Sequence, residues 1–214
     1  MSNKRLSGMM IAIIGTDGSG KSTVLSNVIP KIEALTGKQV IVHHLKPDFL
    51  PPLGRLRGVK HTAGYVCTTP HGAPPSGFWG SLFRITYLSF DYILGYWLRI
   101  RPTLRRKDVA CWIFDRYAYD MLIDPLRFRI KLPQCIVRGF LTMIPRPDIV
   151  LCLGGSPERI FFRKPETSLI EVQRQMCELR KLVKRTKNAC MIDATVPLDE
   201  TITNVINALR DIWD

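Results

Sequence analysis

The chain has 214 residues and a hydrophobic fraction of 46%, enough for a packed core and unlike a disordered, collagen-like or coiled-coil composition. Lys and Arg number 31 against 18 Asp and Glu, a formal net charge of +13. That excess calls for an anionic partner or a basic surface, with nucleic acid, anionic lipid and phosphorylated small molecules all open.

Met1 to Gly8 is polar and basic, and the apolar run behind it passes straight into glycines, so no secretory signal is read. Met9 to Ile14 is continuously apolar and short, the pattern of a central parallel strand. Ser22 to Leu35 predicts a helix, with Val24, Leu25, Val28, Ile32 and Leu35 at spacings of three and four, Pro30 as a possible kink and Gly37 as its end. Gln39 to His43 is a second strand; one of His43 and His44 is expected to face the core and the other the ligand edge. Residues 46–76 form a Pro/Gly-rich insert, made basic by Arg55, Arg57 and Lys60 and too long for an ordinary connection. A long helix is expected from about Gly77 to Arg101, bounded by Pro75 and Pro102. The most apolar stretch, Phe78 to Ile100, carries Arg84 and Asp91, which are costly inside a bilayer, so no transmembrane segment is expected.

Asp108 to Phe114 reads as the third strand, ending in Asp115-Arg116-Tyr117, with a helix or broken helix around Met121 to Ile123. Asp148 to Leu153 is the fourth strand. Pro157 to Phe162 opens a short helix with Ser156 as its cap, Thr167 to Val183 is amphipathic, and Asn188 to Ile192 is the fifth strand. The final helix presents Ile202, Val205, Ile206, Leu209, Ile212 and Trp213, with Asp199 as its expected N-cap. Strands alternating with helices predict an α/β fold, a three-layer sandwich with a parallel five-stranded sheet and helices on both faces. The six cysteines, at 67, 111, 135, 152, 177 and 190, show no ligand-like spacing, which fits a reducing cytoplasm.

Gly15-Thr-Asp-Gly-Ser-Gly-Lys-Ser22 matches GxxxxGK[ST] between a strand and a helix, the context of a phosphate-binding loop (P-loop). Gly15, Gly18 and Gly20 permit tight turns, and the amides of the loop through Ser19 and Thr23 cradle phosphate oxygens. Lys21 reaches the β- and γ-phosphates of ATP, and Ser22 offers a hydroxyl to Mg2+. Asp115, at a strand end on the same sheet edge, suits the metal side, and Arg116 suits a phosphoryl group. Asp17 would repel a triphosphate unless it serves a second ligand, such as an acceptor hydroxyl.

These residues resemble the thymidylate kinase family of nucleoside monophosphate kinases, at Gly15 to Thr23, at Asp115-Arg116-Tyr117, and at Ile192-Asp-Ala194 followed by a helix. The resemblance implies strand order 2-3-1-4-5, a single kinase-like domain over 1–214 with a lid at about 156–168, and transfer of the ATP γ-phosphoryl group to thymidylate or a related nucleotide. It also implies acceptor contacts by Asp17 and Arg116; Arg84 lies on the stretch equivalent to the family's acceptor-site helix, and Tyr117 is a candidate to pack against a base or in the core. The loop has Gly18 and Ser19 where some members carry a base, so the assisting cation is expected among Arg159, Arg163 and Lys164. Homodimers occur in that family. The chain departs from it at Ala118-Tyr-Asp120, where a Ser is usual, and in the 46–76 insert. Two other readings stand beside this one: a kinase for another small metabolite, and an NTPase module in regulation or on nucleic acid, the latter not favoured because Asp17 suits an acceptor better than a switch.

Overall fold

The computed structural model describes residues 8–51, 76–165 and 167–213. Most of the insert, with Arg55, Arg57, Lys60 and Cys67, lies outside the described residues, as does Glu166. The chain divides into two compact units: residues 1–45, 101–117 and 146–214, and residues 46–100 and 118–145.

The first unit holds five parallel strands: β1 Met9–Gly15, β2 Gln39–His44, β3 Val109–Asp115, β4 Ile149–Gly154 and β5 Ala189–Asp193. Their order is β2-β3-β1-β4-β5, as expected. Residues 9–14 and 149–154 are buried throughout, because parallel strands covered on both faces have no solvent side. On one face Met9, Ile11, Ile13, Cys111, Ile113, Leu151 and Leu153 meet α1 (Lys21–Thr36) and the C-terminal helix Leu198–Trp213. Those helices contribute Val24, Leu25, Val28 and Ile32, and Ile202, Val205, Ile206 and Leu209. On the other face the side of Gly154 is filled by Met176 of the helix Leu169–Arg185. The register pairs Ile13 with Asp115, Gly15 with Leu153 and Gly154 with Asp193, so the strands deliver these residues to one edge of the sheet.

Local signals explain the helix boundaries. Gly37 closes α1 at φ 64° and donates its N–H to Glu33. The helix runs through Pro30, which lies on its exposed side, and Leu35 is exposed instead of joining the core. Ser156 caps Pro157–Arg163 through the Arg159 N–H. Helix Leu169–Arg185 starts two residues later than expected, because Ser168 caps it and accepts from the Glu171 N–H. Asp199 is inside the first turn of the last helix, where its charge still favours the amide end.

The second unit is helical: α2 Phe78–Gly95, a π-helical turn Tyr96–Ile100, α4 Asp120–Ile123 and α5 Gln134–Met143. The short α3, Arg101–Leu104, belongs to the first unit and contains Pro102, which therefore does not end the long helix at that point; near a helix start its missing N–H costs little. Asp91 is fully buried in α2 and holds the chain at 46–50, accepting from Lys46 Nζ at 3.1 Å and Leu50 N at 2.6 Å. Burial opposes the Lys46 charge, and Asp48 with Asp91 more than offsets it, raising the Lys46 pKa. Among the described residues no helix is long and apolar enough to cross a membrane. Cys111, Cys135, Cys152, Cys177 and Cys190 are free thiols, and burial pushes Cys111 up to about 12.

Candidate active site

The loop between β1 and α1 is shaped by two left-handed glycines, Gly18 at φ 83° and Gly20 at φ 80°. Gly20 is the N-cap of α1 without a side-chain cap, and the first turn holds no acid. The positive end of the helix dipole therefore meets the loop unneutralised. Gly15 allows a close approach: a Cβ there would stand 2.6 Å from the Leu153 carbonyl oxygen and from Ser19 Oγ. At Gly18 a Cβ would lie 2.9 Å from the Ile160 carbonyl oxygen and 3.1 Å from Lys164 Cβ. The end of helix Pro157–Arg163 thus packs directly on the loop.

Lys21 is buried, and its ammonium donates to the carbonyls of Gly15 at 2.8 Å and Thr16 at 2.7 Å, with Ser19 Oγ at 3.4 Å. Those bonds centre one cation under the loop amides. Ser22 and Thr23 follow on the exposed side of the first turn.

Asp115 ends β3 beside this loop. Its Oδ2 lies 3.2 Å from His44 Nδ1, while its Oδ1 is buried with no hydrogen-bond partner among the described residues. Burial alone would push this carboxyl up. The hydrogen bond and charge of His44, with the charges of Lys21 and Arg116, more than offset it and hold the carboxyl below the usual carboxylate range. An ionised carboxylate with one buried, unpartnered oxygen fits a hard cation or a water bound to one. Among the described residues, no three His, Cys, Asp or Glu side chains cluster as a metal cage.

Because the folded pKa lies below the unfolded one, Asp115 stabilises the fold above the unfolded value. That contribution is lost as pH falls through the folded one. Asp115→Asn should therefore flatten the acid limb of stability against pH. Urea unfolding midpoints from neutral to acid pH check this: the gap to the parent should narrow as the parent carboxylate protonates.

Arg116 follows with φ 76°, left-handed for a side chain that rarely adopts it, and its N–H donates to Ile13 O at 2.8 Å. Its guanidinium is 6% exposed and forms an ion pair with Asp17 of the loop. Two of the four residues expected to meet an acceptor are thus joined to each other. Tyr117 is buried, edge-on to Phe114 at 5.1 Å. Arg84 lies half-buried on α2, in the other unit.

Of the three cations expected to assist transfer, Arg163 donates to Ala194 O at 2.6 Å and Arg159 to Thr195 O at 3.3 Å. Lys164 stands over Gly18. A cleft of about 240 Å³ opens beside the loop, between Gly20, Thr23, Arg163, Ala194, Val196 and Leu198, with no acidic side chain in its lining. Asp193, next to it, accepts from Thr195 N at 2.7 Å and Thr195 Oγ1 at 2.6 Å. These bonds hold its carboxyl below the usual range against a small burial effect, with help from Arg159 and Arg163. Sequence reasoning missed His44 as the Asp115 partner and Ala194 to Leu198 as a cleft wall. The shared strand-end edge was the one signal for both.

The chain is similar in structure to thymidylate kinase from Ehrlichia chaffeensis. The TM-score is 0.60 at 15% identity, over 94% of this chain and 98% of that one. At that identity the likeness shows the shared fold. No family model matches the chain, and no curated protein matches it.

The Gly18→Ala variant tests the loop. Left-handed strain and the Ile160 contact should cost about 1–2 kcal/mol. A thermal midpoint lower by several degrees, with weakened nucleotide binding by calorimetry, is the expected result.

Proposed function

We propose that the protein is an ATP-dependent phosphotransferase that moves the γ-phosphoryl group to a nucleoside monophosphate, thymidylate or a related nucleotide. The observation that carries this reading is the loop itself: two left-handed glycines and an uncapped helix start converge on a buried lysine. Such an arrangement binds phosphate by backbone donors and supplies one fixed cation to the transferring group.

The cleft beside Gly20 suits the adenine of ATP. Its walls combine Val24, Ala194, Val196 and Leu198 with the hydroxyls of Ser19, Thr23 and Thr201, Arg163 gives a flat cationic edge, and no carboxylate lines it to favour guanine. Arg163 and Arg159 tie helix Pro157–Arg163 to the turn after β5, so the lid and the base wall form one support. Lys164 packs its Cβ against Gly18 of the loop, and its ammonium suits the transferring phosphoryl group. Ser22 and Asp115 are the residues that would hold magnesium. That ion, when bound, neutralises β- and γ-phosphate oxygens. A monophosphate acceptor is already anionic, so no strong general base is needed; Arg116 orients that phosphate and Asp17 a neighbouring hydroxyl.

Release of ADP by the purified protein with ATP and magnesium, measured with and without each member of a panel of nucleoside monophosphates, nucleosides and sugars, tests the assignment. ADP release that depends on a monophosphate supports it and names the acceptor. Release that depends only on a sugar or nucleoside replaces it with the metabolite-kinase reading. Release stimulated only by DNA or RNA would contradict any kinase.

A further inference from the structure

Helix α2 keeps a long apolar face in solvent. Trp79, Phe83, Phe90 and Leu94 lie at spacings of four, seven and four, which align them on one side. Trp97 and Leu98 extend that row through the π-helical turn. Trp79 is 77% exposed, Phe83 57%, Phe90 55% and Trp97 52%. Isolated exposed apolar side chains are ordinary; a row of two tryptophans, two phenylalanines and two leucines along one element is not.

The charge around the row is equally one-sided. Among its described residues, this unit holds seven Lys and Arg against four Asp and no Glu. Asp91, Asp120 and Asp124 are buried, and Asp48 is paired with Lys46 at 2.8 Å. The only acid in α2 is the buried Asp91, so the helix shows solvent no carboxylate. α5, which packs on α2, adds the half-buried Arg138, and the exposed Lys131 lies in the loop just before it. In sequence the row continues into Arg99, Arg101, Arg105 and Lys107.

We propose that α2 docks this unit on an anionic phospholipid surface. Tryptophan and phenylalanine seat in the headgroup boundary, and the cationic surround meets the lipid phosphates. The same face of a second copy answers the chemistry less well, since it would set α2 against another α2 that brings the same cations and no exposed carboxylate of its own. The row lies along the surface of a helix that also buries Asp91, which describes a helix lying on a membrane and not across it. This inference is independent of the phosphotransferase reading and accounts for basic charge that a phosphate site does not use.

The test is sedimentation of the full chain with vesicles of phosphatidylcholine alone and of phosphatidylcholine with 30% phosphatidylglycerol as a working composition of about that order. Binding to the anionic vesicles should be at least about tenfold stronger and should fall in high salt. Tryptophan emission should shift to the blue on binding. The triple variant Trp79→Ser, Phe83→Ser, Trp97→Ser should lose at least about tenfold in vesicle affinity while keeping the parent circular dichroism and thermal midpoint. Equal binding by parent and triple variant overturns the proposal, as does no binding to anionic vesicles. A dimer in light scattering that the triple variant dissolves, without vesicle binding, assigns the face to a second copy instead. Should the triple variant fail to fold, Trp79→Ser alone, the most exposed of the set, must weaken binding or the proposal fails.

Discussion

Lys21→Ala is expected to lower the proposed phosphoryl transfer by about a thousandfold or more, with the fold retained. The ammonium is centred under the loop by the Gly15 and Thr16 carbonyls, so it is in place before any phosphate arrives. A preorganised cation aimed at developing charge is worth roughly a hundred- to thousandfold in mutational series, and in the proposed role the same group would also bind the ground-state phosphates. Both kcat and ATP affinity should therefore fall. The cost to stability is smaller, because the carbonyls it leaves can accept from water. Steady-state kinetics beside circular dichroism separates the two effects. Activity near the parent level would show that this loop does not bind the donor.

Arg116→Ala should cost about 2–4 kcal/mol of stability as well as roughly a hundredfold in acceptor turnover. The guanidinium is almost wholly buried against Asp17, so truncation leaves a carboxylate largely out of water without its partner. Arg116→Lys keeps the charge and loses the planar fork, and should rescue stability in part and turnover little. The double variant Asp17→Asn with Arg116→Ala removes the stranded charge and should recover about 1–3 kcal/mol of the loss. Urea unfolding of the parent, Arg116→Ala, Asp17→Asn and the double variant closes the cycle. Additive effects would mean the pair contributes no coupling.

The sheet was legible because its strands are short apolar runs that no amphipathic helix would show, and parallel burial makes them stand out. Gly37 and Ser156 were legible because capping is local chemistry. The loop was legible for the same reason, since its glycines, lysine and serine are contiguous. What failed to show lies in interactions across the chain. Helix Gln134–Met143 was missed because Pro133 and Gly139 look like breakers, although Pro133 sits at the N-cap and Val137 is the side chain it buries. Pro102 was read as a stop because its position at the start of a new short helix depends on the π-helical turn before it. The ion pair of Asp17 with Arg116 and the contact of His44 with Asp115 join residues 99 and 71 positions apart, and only the register of β1, β2 and β3 brings them together.

The central claim is transfer of a phosphoryl group, and the direct measurement follows that group. ATP labelled at the γ-phosphorus is incubated with the protein, magnesium and thymidylate or the acceptor that supports ADP release, and the products are separated. The account predicts label on a nucleoside diphosphate, none above background with Lys21→Ala, and little free phosphate. Label found only in free phosphate, with every acceptor unmodified, would contradict it.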